Sequence, residues 1–129
     1  MPEGVLLDTC AIVWLATGHQ QLSKSARTAI DNAPFAYVSA ISAWEISLKA
    51  AQGDLELPMD PEAWFAEVLM QHSLTLLDLS PAILMAANRL PWHHRDPADR
   101  FIISTAIDLK VPIVTRDKQF QAYPVRIIK

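Results

Sequence analysis

Short, continuous apolar runs alternate along this chain with longer stretches in which apolar residues recur at helical spacing. A short apolar run predicts a strand that is buried on both faces, and helical spacing predicts an amphipathic helix. The predicted strands cover residues 5–7, 35–38, 74–77, 112–115 and 125–128. Strands that alternate with helices favour parallel pairing through right-handed crossovers. The pattern therefore predicts an α/β fold, a three-layer α/β/α domain with a central parallel sheet of about five strands.

The starts of the helices are predicted from capping residues and from prolines at the first helical position. The predicted caps are Thr9, Ser23, Ser42, Asp60, Ser80 and Asp96, and a short helix is predicted at 117–122. The segment Ser42-Ala43-Trp44-Glu45 has the form of a capping box. In its helix Trp44, Leu48 and Ala51 share one stripe, which we expect to face the core.

The length of 129 residues predicts one domain, which we expect to cover residues 1–129. No apolar run reaches the roughly 18 residues that a membrane span needs. The start of the sequence lacks the basic segment of a signal peptide. A single cysteine, Cys10, excludes an internal disulfide, and we expect it to fill a small space in the core. These features predict a cytoplasmic protein with no membrane association.

The formal charge of −3 is unevenly distributed along the sequence. Residues 1–88 carry three Lys or Arg against ten Asp or Glu, a net charge of −7. Residues 89–129 carry eight Lys or Arg against four Asp or Glu, a net charge of +4. A basic last third beside clustered acids suits a metal site that receives a polyanion, but charge alone favours a solvated surface with chance segregation.

Four acids lie at equivalent places in the predicted fold. Asp8 follows the first strand and Asp117 the fourth, Glu45 lies in the helix after the second strand, and Asp99 opens the helix that leads into the fourth. Because the carboxyl ends of parallel strands share one edge of a sheet, we expect these acids to converge. Hard oxygen ligands select Mg²⁺ or Mn²⁺. The chemistry that such a metal site serves is phosphodiester hydrolysis.

Each acid also has a structural interpretation. Glu45 fits the capping box, Asp117 can cap the last helix, and Asp99 can complement the dipole of its own helix. Asp8 is the hardest to explain structurally, because a carboxylate at the end of a buried strand is costly unless it is paired or bound to a metal. Convergence of all four favours function over structure.

Four short motifs in this order resemble PIN-domain ribonucleases, specifically the VapC toxins of VapBC toxin–antitoxin pairs, over essentially the whole chain. The motifs are Leu7-Asp8-Thr9, Ser39-x-x-Ser42-x-Trp44-Glu45-Ile46, Asp96-Pro97-x-Asp99-Arg100 and Thr115-Arg116-Asp117-x-x-Phe120. The resemblance implies a metal-dependent endoribonuclease that uses Mg²⁺ or Mn²⁺ to hydrolyse RNA. The acidic quartet that it implies is Asp8, Glu45, Asp99 and Asp117.

The resemblance also implies supporting residues. Thr9 and Thr115 match hydroxyl positions that accompany the quartet. Asp96 and Asp99 both fit the position of the third acid, and we favour Asp99 because Asp96 is used as the helix cap. For Arg100 three roles stay open, namely pairing with an acid of the site, contact with substrate phosphate, and a surface salt bridge.

A homodimer and a cognate antitoxin that blocks the acidic groove are further implications of the resemblance. Trp14 and the Trp64-Phe65 pair are apolar candidates for such surfaces, and core packing is the alternative. His93 and His94 are expected to be a solvated loop pair, with RNA or metal contact as the alternative. Two other functions stay open, a non-catalytic PIN-like binding module and an Asp-based phosphotransferase or receiver-like domain. The phosphotransferase needs a second Asp where this sequence has Cys10.

Overall fold

The computed structural model describes residues 3–129, and its strands form one sheet in which every pair is parallel. The strands are β1 (Val5–Leu7), β2 (Ala36–Ser39), β3 (Leu74–Leu77), β4 (Ile113–Val114) and β5 (Ile127–Ile128). Their order is β3-β2-β1-β4-β5, so that the first strand lies at the centre. Leu7 at the end of β1 pairs with Val38 on one side and Val114 on the other. This register aligns the carboxyl ends of the three strands on which the predicted site depends.

Helices connect the strands in the predicted order. They are α1 (Thr9–Thr17), α2 (Lys24–Asn32), α3 (Ala40–Ala51), α4 (Pro61–Gln71), α5 (Pro81–Arg89) and α6 (Pro97–Leu109), followed by a 3₁₀ helix (Lys118–Ala122). Asp96 caps α6 and Pro97 is its first residue, as predicted. Within residues 3–129, none of these helices has both the length and the apolar character needed to cross a membrane.

The core lies on both faces of the sheet, because side chains of consecutive strand residues point to opposite faces. Val5 and Leu7 pack with residues of α1, α2 and α4 on one face. Leu6 packs with residues of α6 on the other face. Outside this second face, α5 lies against α6, where the Ser104 hydroxyl donates to the Ile83 carbonyl at 2.8 Å. The predicted three-layer α/β/α fold is confirmed.

The structure corrects two predicted helix caps. Asp8, not Thr9, caps α1, and Thr9 is the first helical residue. Ser39, not Ser42, caps α3, because β2 runs directly into the helix and Ser39 keeps an extended backbone there. Glu45 consequently lies further along the helix and is not the partner of a capping box. The structural explanation for this acid is therefore wrong.

The orientation of α3 also differs from the prediction. Trp44 is 56% exposed and Leu48 is 36% exposed, so that the apolar stripe faces outward. The buried residues of the helix are Ser42, Glu45 and Ile46. The polar pair points inward because both side chains are close to the hydroxyl of Thr9 in α1. Hydrogen bonding at the edge of the sheet, rather than apolar burial alone, thus determines which face of α3 is buried.

Candidate active site

The carboxyl edge of the sheet borders a cavity of about 310 Å³. All four predicted acids line it, namely Asp8, Glu45, Asp99 and Asp117, and so do Thr9 and Asp96. Lys49 and Arg116 contribute positive charge to the same wall. The structure therefore brings together residues that are up to 109 positions apart in the sequence, between Asp8 and Asp117.

Asp8 occupies the centre of this edge because it directly follows the central strand. Its Oδ1 accepts a hydrogen bond from the Ala11 amide at 2.8 Å, as the cap of α1, and its Oδ2 accepts one from the Thr115 hydroxyl. Only 5% of the residue is exposed. Burial raises the pKa of this carboxyl to about 6, although both hydrogen bonds favour the ionised form. The nearby Asp117 and Glu45 add to the rise.

Glu45 reaches the cavity from α3 and is held by hydroxyl groups. The Thr9 hydroxyl donates to Glu45 Oε1, and the Thr9 and Ser42 oxygens lie 2.9 Å apart. All three side chains are buried. Ser42 thus belongs to the site, a role that the sequence did not reveal because the serine matched a helix cap. Thr9, which is itself in contact with Ser42, thus fixes the position of a carboxylate that would otherwise be an unpartnered buried group.

Asp96 and Asp99 lie one helical turn apart but differ in their surroundings. Asp96 is exposed, and its Oδ1 accepts a hydrogen bond from the Ala98 amide at 3.0 Å, as the cap of α6. The Asp99 side chain is only 18% exposed. Burial raises the pKa of Asp99 to about 8, and repulsion from Asp96, Glu45, Asp8 and Asp117 contributes to the rise. Both acids line the cavity, and Asp99 is the more deeply placed.

Asp117 enters the cavity from the segment after β4. It caps the 3₁₀ helix through Oδ1, which accepts from the Gln119 amide at 2.9 Å. Its own amide donates to the Thr115 hydroxyl oxygen at 3.0 Å, and this hydroxyl in turn donates to Asp8. Thr115 therefore links the carboxylate of Asp8 to the main chain of Asp117. Thr9 and Thr115, the two predicted hydroxyl residues, both contact acids of the site.

His94 belongs to the cluster, contrary to the expectation of a solvated histidine. It is 5% exposed, and its Nε2 lies 3.1 Å from Asp99 Oδ2 and 3.0 Å from Asp117 Oδ2. No apolar pattern marks a loop residue as buried. The feature of the sequence that could have indicated a role for His94 in the site is its position two residues before Asp96, at the start of the helix that carries Asp99.

Arg100 performs none of its three predicted roles. It is 2% exposed and donates hydrogen bonds to the main-chain carbonyls of Ala87, in the last turn of α5, and of Leu90, Pro91 and His94, in the loop that follows. Its guanidinium carbon lies 3.5 Å from the centre of the Trp92 ring. Arg100 therefore holds the loop rather than an acid. Cys10 also differs from the prediction, since it is exposed at the cavity instead of filling the core.

The arrangement fits a divalent cation. Among residues 3–129, Asp99 and Asp117 lie within 3.1 Å of His94 Nε2, and the acids of the cavity form no salt bridge with a Lys or Arg. Repulsion among the carboxylates contributes to the raised pKa values of Asp8 and Asp99, and a bound cation would relieve it. The ligand atoms of His94, Asp99 and Asp117 lie within 4.8 Å of one another. Mostly carboxylate oxygens with at most one imidazole suit Mg²⁺ or Mn²⁺.

The sheet is all-parallel, and acidic side chains lie together at its carboxyl edge. These two features place the protein in the class of α/β/α domains with an acidic site. The chain belongs to the PIN domain family, which matches residues 5–125. It is 33% identical over 120 residues to Ribonuclease VapC22 of Mycobacterium tuberculosis (strain ATCC 25618 / H37Rv), covering 92% of this chain and 91% of that protein. Family membership favours the PIN-domain interpretation over the receiver-like one.

Solved structures show the same fold. The chain resembles VapBC2 from Rickettsia felis, bound to a DNA fragment from the promoter, with a TM-score of 0.71, 16% identity and coverage of 96% of both chains. It also resembles DNA-bound VapBC from Salmonella typhimurium, with a TM-score of 0.70, 20% identity and coverage of 97% and 96%. At these identities the likeness establishes architecture alone.

Proposed function

We propose that this protein is a metal-dependent endoribonuclease toxin of the VapC type, one PIN domain over residues 1–129. The observation that carries the proposal is the convergence of Asp8, Glu45, Asp99 and Asp117 on one cavity. The ribonuclease name of the M. tuberculosis relative, which is similar over nearly its whole length, supports the substrate class. RNA is accordingly the proposed substrate and Mg²⁺ or Mn²⁺ the proposed cofactor.

The acids would hold the cation between the ends of β1 and β4 and the starts of α3 and α6. A divalent cation bound there supplies the Lewis acidity that activates water and offsets charge on the phosphate. Asp8 and Glu45 are presented in fixed orientations by Thr115 and Thr9. Because these hydroxyls donate to one oxygen of each carboxylate, they fix the acids without supplying a competing positive charge.

Positive charge on the cavity wall would receive the substrate backbone. Lys49 and Arg116 line the cavity beside the acids and are suited to contact phosphate groups. Such contacts place a strand without reading its bases. We therefore propose that target choice depends on the shape of the RNA around the scissile bond.

The proposed partners are a cognate antitoxin and a second copy of the chain, in a cytoplasmic location. The antitoxin is supported by the similar structures, which are those of VapBC2 and VapBC. Of the predicted partner residues, Trp64 is buried in the core, Phe65 packs against it, and Trp14 lines the acidic cavity. Trp14 is thus the one placed where an inhibitory segment would enter. Light scattering on the purified chain tests the homodimer.

The test of the proposed function is an RNA cleavage assay with purified protein and a structured RNA. We expect cleavage with Mg²⁺ or Mn²⁺, none with EDTA, and none with Asp8→Asn. Asp54→Asn is the matched control, since Asp54 is exposed and lies outside the cavity. Cleavage that survives EDTA or Asp8→Asn would overturn the metal-dependent mechanism. RNA binding without cleavage by the wild type would support the non-catalytic module instead.

A further inference from the structure

The imidazole of His94 bridges two of the acids that the proposed function assigns to the metal. Its Nε2 lies within hydrogen-bond distance of Asp99 Oδ2 and Asp117 Oδ2, at 3.1 and 3.0 Å. The residue is 5% exposed, so water competes little for these contacts. One ring nitrogen therefore faces carboxylates that come from two different elements, α6 and the segment after β4.

The other ring nitrogen identifies the tautomer. His94 Nδ1 accepts a hydrogen bond from the Asp96 amide at 3.3 Å. A ring nitrogen that accepts carries no proton, so in the neutral imidazole the hydrogen is on Nε2. Nε2–H then donates to Asp117 Oδ2, with Asp99 Oδ2 at 3.1 Å from the same nitrogen, and has no lone pair to offer a metal. The local main chain thus selects a hydrogen-bonding role for His94 over a ligating one.

The surroundings of His94 fix its position from three sides. Its amide donates to the Tyr123 hydroxyl oxygen at 2.8 Å, and its carbonyl accepts from Arg100 at 3.0 Å. The ring packs edge-on against Phe120, with 5.4 Å between the centroids. Arg100, which the loop carbonyls surround, is the anchor of this arrangement. A rigid donor of this kind costs little entropy when it orders its acceptors.

We propose that His94 is a positioning residue of the metal site, which holds Asp99 and Asp117 together through Nε2–H. This inference rests on the proposed function, because it assigns a role at the same site. Asp117 Oδ1 already accepts from the Gln119 amide, so that His94 fixes the second oxygen of the same carboxylate. Hydrogen-bonding partners of metal-ligating groups orient those groups and tune their affinity. His94 would supply this function for two ligands at once.

Metal affinity measured without RNA tests the proposal. His94→Phe keeps an aromatic ring against Phe120 but removes the donor, and we expect Mn²⁺ affinity by calorimetry to fall about 10–100-fold. His94→Gln places an amide N–H where Nε2 lies, and we expect it to restore affinity to within a few-fold of wild type. His93→Phe is the matched control in the neighbouring, exposed histidine and should leave affinity unchanged. Thermal unfolding confirms that each variant is folded.

Nitrogen NMR of the histidine rings supplies a second, independent readout. We expect the His94 signal to report the Nε2–H tautomer both without metal and with Mg²⁺. Loss of that proton on Mg²⁺ binding would make His94 a ligand and would overturn the proposal, as would unchanged affinity in His94→Phe or failure of His94→Gln to rescue. If the Mn²⁺ affinities are as expected but the wild type does not cleave RNA, the proposed ribonuclease function is wrong. The role of His94 at the metal site would still hold.

Discussion

The hydroxyl of Thr115 donates a hydrogen bond to the carboxylate of Asp8 and joins the ends of β1 and β4. The same oxygen accepts the amide of Asp117 at 3.0 Å. One small side chain therefore orients one acid and the main chain of another. This contact connects two members of the cluster that are 109 positions apart in the sequence.

Thr115→Val tests the value of that contact. Valine has nearly the same shape but no hydroxyl, so Asp8 loses a hydrogen bond that favours its ionised form. We expect RNA cleavage to fall about 10–100-fold at saturating substrate, as for other groups that orient a metal ligand. Activity within two-fold of wild type would show that the contact is dispensable. Thr17→Val in α1 is a suitable control, since its hydroxyl donates to the Val13 carbonyl of the same helix at 2.9 Å.

Substitutions of Asp96 and Asp99 should distinguish the role of a helix cap from the role of a metal ligand. Asp96→Ala removes the cap of α6, and we expect it to lower the free energy of unfolding by about 0.5–2 kcal/mol with cleavage largely retained. Asp99→Asn should abolish cleavage, and because asparagine never ionises, the variant avoids the cost of burying a carboxyl whose pKa is raised to about 8 and should stabilise the metal-free protein at neutral pH by about 0.5–2 kcal/mol. Urea unfolding in EDTA and cleavage assays measure the two effects. Equal losses of activity would contradict this separation.

The stability of the metal-free protein should fall as the pH rises. The pKa is raised to about 6 for Asp8 and to about 8 for Asp99, so the folded state holds these protons more tightly than the unfolded state. The stabilisation is complete below the ordinary value of 3.8 and is lost as the pH rises through about 6 and then about 8. Mg²⁺ binds the ionised carboxylates. The increase in melting temperature that Mg²⁺ causes should therefore become larger as the pH is raised from about 6 to about 8. A rise that stays constant over this range, measured by thermal unfolding, would refute the assignment.

Arg100→Lys should destabilise the protein although the charge is kept. Lysine cannot satisfy the set of loop carbonyls that the planar guanidinium reaches, and it leaves several of them unpaired. We expect the free energy of unfolding to fall by about 2–4 kcal/mol. Arg116→Lys is the matched control at an exposed position, with an expected change within about 0.5 kcal/mol. Equal stability of the two variants in urea would show that the loop does not depend on Arg100.

Strand positions and the convergence of the acids were predictable because both follow from local pattern and from a general property of parallel sheets. The position of Asp8 could be predicted from the buried strand that precedes it, and the position of Asp99 from the start of its helix. The functional roles of these acids stay predictions. The geometric part of the prediction succeeded where a residue's position follows from the element to which it belongs.

The residues that were misplaced depend on partners distant in the sequence. Trp44 and Leu48 face outward because the orientation of α3 is set by the contact of Glu45 with Thr9, which is 36 positions away, and the helical pattern of α3 alone does not show that contact. Arg100 is buried because loop carbonyls surround it, whereas an arginine in isolation is expected to be exposed. His94 is buried through contacts with Phe120 and Tyr123. In each case a tertiary hydrogen bond or contact overrides the local preference.

The central place of β1 in the sheet has a consequence for synthesis. The strand that precedes Asp8 is made first, yet its partner β4 and the Asp117 carboxylate are made more than a hundred residues later. Pairing of such distant segments is slow and has to wait for the later one. A growing chain on the ribosome therefore carries the first acid of the site for more than a hundred residues of synthesis without the last. Assembly of the acidic centre is in this way postponed until β4 and the segment after it have been translated.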